Sequence, residues 1–466
     1  MRIHTGTTRV LTAVGCALGI AALGSTAALS AGAASSAATD GVTVPALIKA
    51  GHASAPPTTA SCQQSIQLNC YSPAQIQQAY SLNGIYGQGI NGKGVTIAVI
   101  DPQGSPTIWN DLTTFDSAFS LPNPSLTIIR PAGAVQSFEA KNSDMQNWAT
   151  ETTMDVEWAH AIAPGAKILL VETPLTGGFP DGYYAEAENY VIDHHLANII
   201  SQSWGVPEPQ DSFEYYGIKN LVGAYEQAER EHITVLASAG DDGPTNPTNG
   251  DKTSWLTEAN VQFPASDPLV TAVGGTRLDL DANGNRLSPD VVWNDTWDTV
   301  VGKEFGLANP NGMAGGGGDS IWFARPSFQS SVWKTVGSMR GLPDISMSAA
   351  CSAAAMTYAS FPGQTPGWTL SCGTSVATPM FAGIVALADQ MAGRSLGFIN
   401  PAIYKLAAER AAGIVQVTSG NSTVSFRQDG RTYTVRGFKA RDGYSRAAGV
   451  GTIDGQYFIP ELAHLG

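Results

Sequence analysis

The chain is 466 residues long, carries 39 acidic against 25 basic side chains for a formal net charge of −14, and is only 14% charged, where soluble proteins average about 25%. A net anion with so few bases argues against a nucleic-acid partner, and it limits the positive self-repulsion left when carboxyls protonate in acid. The length permits one large α/β unit with a substantial core.

Residues 1–34 combine a basic start (Arg2, Arg9), an apolar run from Val10 to Leu23 and the small residues Ala31, Gly32 and Ala33, the pattern of a secretory signal peptide. The product is therefore expected to be secreted and extracellular. The leader's apolar run is short and interrupted by Gly and Thr, and no later stretch is expected to span a membrane. Of five cysteines, Cys16 lies in the leader, which leaves Cys62, Cys70, Cys351 and Cys372 for an oxidising compartment. Sequence proximity favours Cys62 with Cys70 and Cys351 with Cys372, although three pairings can be drawn. No Cys/His spacing of metal-site type occurs.

Residues 35–68, with "GHASAPPTTAS", read as a low-complexity linker or short pro-segment ahead of a domain over 69–466. In "SPAQIQQAY", Ser72 is the expected N-cap and Pro73 opens the first turn. Short, nearly continuous apolar runs follow at 95–100, 167–172, 198–204, 233–240 and 269–275, as in strands buried on both faces. Helix-period stretches lie near 147–162, 183–195, 214–231, 375–391 and 400–409. This alternation predicts an α/β fold, a mostly parallel central sheet covered by helices on both faces, with its site beyond the carboxyl ends of the strands. "AGGGGDS" at 314–320 lacks the lysine of a phosphate loop, and "STVSFRQDGRTYTVRGF" alternates around Asp429-Gly430 as a hairpin does.

In "LSCGTSVATPMFAG", Ser375 follows Gly-Thr at the start of an apolar helix, as the nucleophile of subtilisin-type peptidases does. A serine hydroxyl needs a base. The histidines are His4, His52, His160, His194, His195, His232 and His464, and none stands in a His-Gly-Thr-His context. Carboxylates are the alternative. Glu151 and Asp155 are four apart in a helical stretch and share a face; held close, they would push one pKa upward and share a proton. The ordinary reading of such a pair is a solvated helix face. Asp241 ends the strand "ITVLASAG", where a turn aspartate is ordinary and a protonated acid donating to an oxyanion is the functional alternative; Asp101 ends "VTIAVI", as a structural turn residue or as a further member of the carboxylate network. Ser375 itself could be a plain N-cap.

From about residue 69 onward the chain resembles the sedolisins, the serine-carboxyl peptidases, through "SPAQIQQAY", "TIAVID", "ETTMDVEWAHAIAPGAKI", "SQSWG", "ASAGDDG", "FPASDPLVTAVGGT", "GGGDSIWFARPSFQ", "GLPDISM", "GTSVATP" and "LGFINPAIY" in order. The resemblance implies a subtilisin-like three-layer fold and hydrolysis of protein or peptide substrates through an acyl-enzyme at acid pH. By it, Ser375 is the nucleophile, Glu151 the general base and later acid, and Asp155 the group that orients Glu151. Asp241 lines the oxyanion hole beside the Ser375 N–H, Asp101 and Trp204 extend the network, and "SQSWG" and "AGGGGDS" form cleft walls. Activity should then fall once the pH is high enough to ionise Asp241.

Two family features are missing. The resemblance implies a C-terminal calcium site with two aspartates, but Gln416 and Ser445 stand at those places, and a hard cation relies on anionic oxygens. No metal or other cofactor is therefore expected, unless Asp442 or Asp429 substitutes. Residues 35–68 are also too short for the family's folded prosegment. The leading expectation is a secreted, monomeric endopeptidase, or alternatively a tripeptidyl-type exopeptidase. Its competitor is a non-catalytic binding or structural protein of the same fold. A third reading, a histidine base at His160 or His194, requires one of those rings to reach Ser375.

Overall fold

The computed structural model describes residues 47–53, 55–175, 181–208, 217–248 and 254–465; the expected signal peptide, 1–34, lies outside them. The expected linker does not stay unstructured. Strand β1 (Leu47–Ala53) and helix α1 (Thr59–Ile66) fall within it, followed by β2 (Asn69–Tyr71). Thr58 and Ser61 form a capping box at the start of α1, and the buried Cys62 is bonded to Cys70. A segment of small polar residues is thus ordered by a cap and a covalent cross-link instead of a wide apolar face. Helix α2 (Pro73–Ala79) begins as expected, with Ser72 accepting from the Gln75 N–H and Pro73 in the first turn.

The core is built on β3 (Thr96–Pro102), α3 (Ile108–Phe119), β4 (Ser125–Ile129), α4 (Ser143–Ile162), β5 (Lys167–Thr173), α5 (Tyr183–Asp193), β6 (Ile199–Gln202), α6 (Ile218–Arg230), β7 (Thr234–Ser238), β8 (Thr271–Arg277) and β9 (Val291–Val292). The strands form an eight-stranded sheet in the order β9-β8-β7-β6-β3-β5-β4, with β12 (Ile345–Ser348) also on β8. Every pairing is parallel except that of β9. Side chains alternate across it. Ile97, Val99, Ile168, Leu170, Ile199 and Leu236 pack with α4 on one face, while Ala98, Ile100, Leu169, Val171, Ile200 and Val235 pack with α5 and α6 on the other. The continuous apolar runs of the sequence follow from this double burial. The chain leaves β3 for β4 and β5 on one side and returns to β6 on the other, so β3 and β6 flank a topological switch point, where α/β folds place their ligands.

Strands β10 (Gly318–Ala324) and β11 (Met339–Leu342) make a separate antiparallel pair. Strands β13 (Ala353–Ala359) and β14 (Gly367–Ser371) pair antiparallel between β2 and β1 in a second, four-stranded sheet. From β14 the chain passes through Cys372, bonded to Cys351 as proximity favoured, into helix α7 (Thr374–Ala392). Its N-cap, Gly373, has φ 111°, a conformation that side chains with a Cβ rarely adopt. Contrary to expectation, α7 is long and apolar enough to cross a membrane by length and composition. Its apolar surface is instead spent in the core, since every residue from Thr374 to Asp389 is buried and the helix packs on α4, β6 and β8. Helix α8 (Asn400–Glu409) matches its predicted span. The predicted hairpin is β15 (Val424–Gln428) and β16 (Arg431–Val435), and its tip, Asp429 and Gly430, has φ 51° and 71°, the paired positive angles of a type I′ turn.

Candidate active site

Asp101 closes β3, Ser203 follows β6 and Asp241 lies just beyond β7, so three strands deliver polar residues to one edge of the sheet. Helix α4 brings Glu151 and Asp155 to the same edge. It starts four residues earlier than predicted because Asn142 caps it, accepting from the Met145 N–H. Almost all of its length is buried, which overturns the ordinary reading of its acidic pair as a solvated face. Asp101, Glu151 and Asp155 are each 0% exposed.

The first turn of α7 closes the site. Pro379 has no N–H to offer the Ser375 carbonyl one turn back, and the Ser203 hydroxyl lies 3.3 Å from that carbonyl instead. In return, the Ser375 hydroxyl lies 3.4 Å from the Ser203 carbonyl. Ser375 is in the second position of the helix and not its N-cap. Asp241 holds the residue before it, with Oδ1 accepting from the Thr374 N–H at 2.7 Å and from the Thr374 hydroxyl at 2.9 Å.

Burial sets the electrostatics. It pushes the Asp101 carboxyl up to about 7, with the Thr152 hydroxyl opposing and Glu172 adding to the rise. Glu151 is raised well above the usual carboxyl range by burial, then by the charges of Asp155 and Asp101; the adjacent Ser375 hydroxyl pulls it back, and Asp241 raises it further. Asp155 is raised by burial and Asp101, against the pull of the Ser203 hydroxyl. None of the six oxygens of Asp101, Glu151 and Asp155 has a hydrogen bond of full geometry. The neighbouring hydroxyls lie against them loosely. Carboxyls so placed are unfavourable as anions and tolerated as acids, so the cluster gives up its protons one at a time.

Trp204 is buried, donates from Nε1 to the Ile100 carbonyl at 2.8 Å and stacks on Tyr184 at 4.1 Å. It thus braces the strand end that carries Asp101. The glycine stretch runs beside Asp241: the Ala314 N–H donates to the Asp241 carbonyl at 2.9 Å, and the Gly316 N–H to that of Gly240 at 2.7 Å. A Cβ on Gly316 would run into the Ala239 carbonyl, so this close approach requires glycine. Ser203, Thr152 and Thr374 were not singled out in the sequence, although Ser203 lies in "SQSWG" and Thr374 in "GTSVATP".

The histidine reading is corrected. His160 sits at the far end of α4 with Nε2 3.3 Å from Asp116 and 3.1 Å from the Pro122 carbonyl. His194 is exposed and stacked on Tyr190. Neither is a partner of Ser375.

Among the described residues no group of three or more His, Cys, Asp or Glu is arranged to hold a metal ion. The C-terminal residues do not fit calcium. Gln416 Oε1 accepts from the Gly443 N–H at 2.7 Å and its Nε2 donates to the Val450 carbonyl at 3.2 Å, while Ser445 Oγ accepts from the Ala448 N–H at 3.2 Å. The side-chain amide bridges the loop that a cation would otherwise join. Asp442 is engaged by Arg410 at 2.6 Å on the surface, and Asp429 is exposed at the hairpin tip.

Residues 138–440 match the model of the subtilase family. The chain is 31% identical to kumamolisin of Bacillus sp. (strain MN-32) over 406 residues, covering 86% of this chain and 65% of kumamolisin. It is 28% identical to human tripeptidyl-peptidase 1 over 277 residues, 55% of this chain and 42% of the relative. It therefore spans less than two thirds of either. Pseudomonas sedolisin, a serine-carboxyl proteinase solved in complex with two molecules of pseudo-iodotyrostatin, superposes with a TM-score of 0.67 at 26% identity, covering 85% of this chain and 98% of that one. Because the matched span covers more than half of the sequence, the chain belongs to the subtilase family, as a relative of its sedolisins.

Proposed function

We propose that this protein is a secreted, acid-acting serine-carboxyl peptidase that needs no metal. The observation that carries the reading is the burial of Glu151 against the Ser375 hydroxyl within a cluster of carboxyls. Kinship with kumamolisin and sedolisin supports it, and the leader pattern with two disulfides supports an extracellular setting.

In this mechanism the first proton to leave the cluster of three carboxyls makes the base, and the protons kept by its neighbours stabilise the anion that forms. Glu151 takes the Ser375 proton as Oγ attacks the substrate carbonyl, and Asp155 and Asp101 share the proton gained. Asp241, protonated, donates to the developing oxyanion alongside the Ser375 N–H. Glu151 then returns the proton to the leaving amine, an acyl group remains on Ser375 Oγ, and water releases it by the same steps in reverse. Retention of four mutually dependent groups also favours catalysis over a binding role, because each is unfavourable to bury without a use.

The test is hydrolysis of a denatured protein by the wild type and Ser375→Ala from about pH 3 to 8, a range that spans carboxyl and histidine titration. An acid maximum that disappears in the variant is expected. A neutral maximum, or cleavage that survives in the variant, would sink the mechanism.

A further inference from the structure

Asp295 takes no part in the steps above, yet its carboxyl is 2% exposed and four donors converge on it. Oδ2 accepts from Trp293 Nε1 at 2.7 Å, the Cys351 N–H at 2.8 Å and the Ser352 N–H at 3.2 Å; Oδ1 accepts from the Ser352 hydroxyl at 2.7 Å. Its backbone is equally engaged. The N–H donates to the Met313 carbonyl at 2.9 Å, and the carbonyl accepts from Asn311 Nδ2 at 3.0 Å.

These bonds join two segments that both end at the site. On one side Cys351 is bonded to Cys372, and the next residue, Gly373, donates its N–H to the Ala349 carbonyl at 2.7 Å before the chain reaches Thr374 and Ser375. On the other side Met313 leads to Ala314, which is bonded to the Asp241 carbonyl at 2.9 Å. Thr374 closes the ring through its bonds to Asp241 Oδ1. Asp295 is the point opposite that closure. We propose that Asp295 is a positioning residue that sets the spacing between Ser375 and Asp241, acting through the Cys351–Cys372 bridge on one arm and the 313–316 backbone on the other.

The role rests on the peptidase reading, and the test separates the two. Asp295→Ala leaves the N–H groups of Trp293, Cys351 and Ser352 without their acceptor, whereas Asp295→Asn keeps an oxygen for them and turns its NH₂ to the Ser352 hydroxyl. For a peptide substrate, kcat of folded Asp295→Ala is expected to fall about tenfold or more with KM within about twofold, the signature of a misplaced transition-state contact, and Asp295→Asn should recover most of it. Amide hydrogen exchange of 373–375 and 314–316 should quicken in the Ala variant and not in the Asn variant. A loss that falls on KM, or exchange unchanged at both segments, overturns the proposal. Should Asp295→Ala not fold, Ser352→Ala removes one donor and is expected to lower kcat several-fold at constant KM; unchanged kcat there overturns it as well. If the wild type cleaves nothing, the peptidase reading fails on its own, and hydrogen exchange alone decides whether Asp295 holds the two segments.

Discussion

Ser203 and Ser375 hold each other across the site, the hydroxyl of each lying within hydrogen-bond reach of the other's carbonyl, at 3.3 and 3.4 Å. The pairing depends on Pro379, which cannot supply the N–H that a helix would normally direct at the Ser375 carbonyl. The Ser203 hydroxyl also lies against Asp155, so one small side chain touches both the proposed nucleophile and the acid network.

Ser203→Ala should therefore cost about 1 kcal/mol of stability, the usual effect of one hydrogen bond, and about tenfold in kcat. Adding Pro379→Ala restores a backbone donor for the orphaned carbonyl. The double variant should melt closer to wild type than the two single effects sum to, a coupling that a double-mutant cycle measures by thermal denaturation. Strict additivity would show that the carbonyl does not need Ser203.

Stability should be greatest in mild acid. Burial raises Asp101, Asp267 and Asp389 to about 7 each, and Glu151, Asp155, Glu157 and Glu188 upward as well. A carboxyl whose folded pKa exceeds its unfolded one binds more protons in the native state, so its contribution is complete below about pH 4 and is lost as the pH climbs towards about 7. Asp281 and Asp442, both exposed and lowered by hydrogen-bonding partners, act in the opposite sense and lose their contribution at lower pH. Thermal melts from pH 3 to 8 are expected to peak near about pH 4 and to drop by several degrees approaching neutrality. Glu151→Gln isolates one group: activity should fall on the order of 10²- to 10⁴-fold, while the melting temperature at pH 7 should hold or rise because no buried anion forms. A neutral-pH stability maximum would contradict the assignment of these carboxyls as buried acids.

Chelation should leave the protein unaffected. The Gln416 amide already ties Gly443 to Val450, so the melting temperature with excess EDTA should equal that with added calcium. Gln416→Ala, which removes both bonds, should lower stability by about 1–2 kcal/mol. A calcium-dependent rise in melting temperature would mean that other oxygens bind the ion.

The strands of the central sheet and the Asp429-Gly430 hairpin were legible in the sequence because burial on both faces and a two-residue positive-φ turn leave local compositional marks. The i, i+4 spacing of Glu151 and Asp155 likewise put them on one helix face before any tertiary contact was known. What that face meets is a long-range matter. The raised pKa values of the pair come from burial, to which α7, more than 200 residues further along the chain, contributes by packing on α4, and from the charge of Asp101 at the end of β3; desolvation depends on these surroundings and not on the spacing. The segment 47–66 looked like a linker because its order comes from partners elsewhere, β14 for β1 and Cys70 for Cys62. Asp295 carried no signal at all, since an aspartate in "WNDTW" becomes a convergence point only when folding brings Cys351 and Ser352 to it. Local periodicity and motif order determined the fold class, the choice of candidate site residues and the sedolisin kinship. Tertiary structure alone decided which carboxyls are dry, which hydroxyls oppose them and what holds Ser375 in place, because each depends on groups that meet only once distant elements have packed.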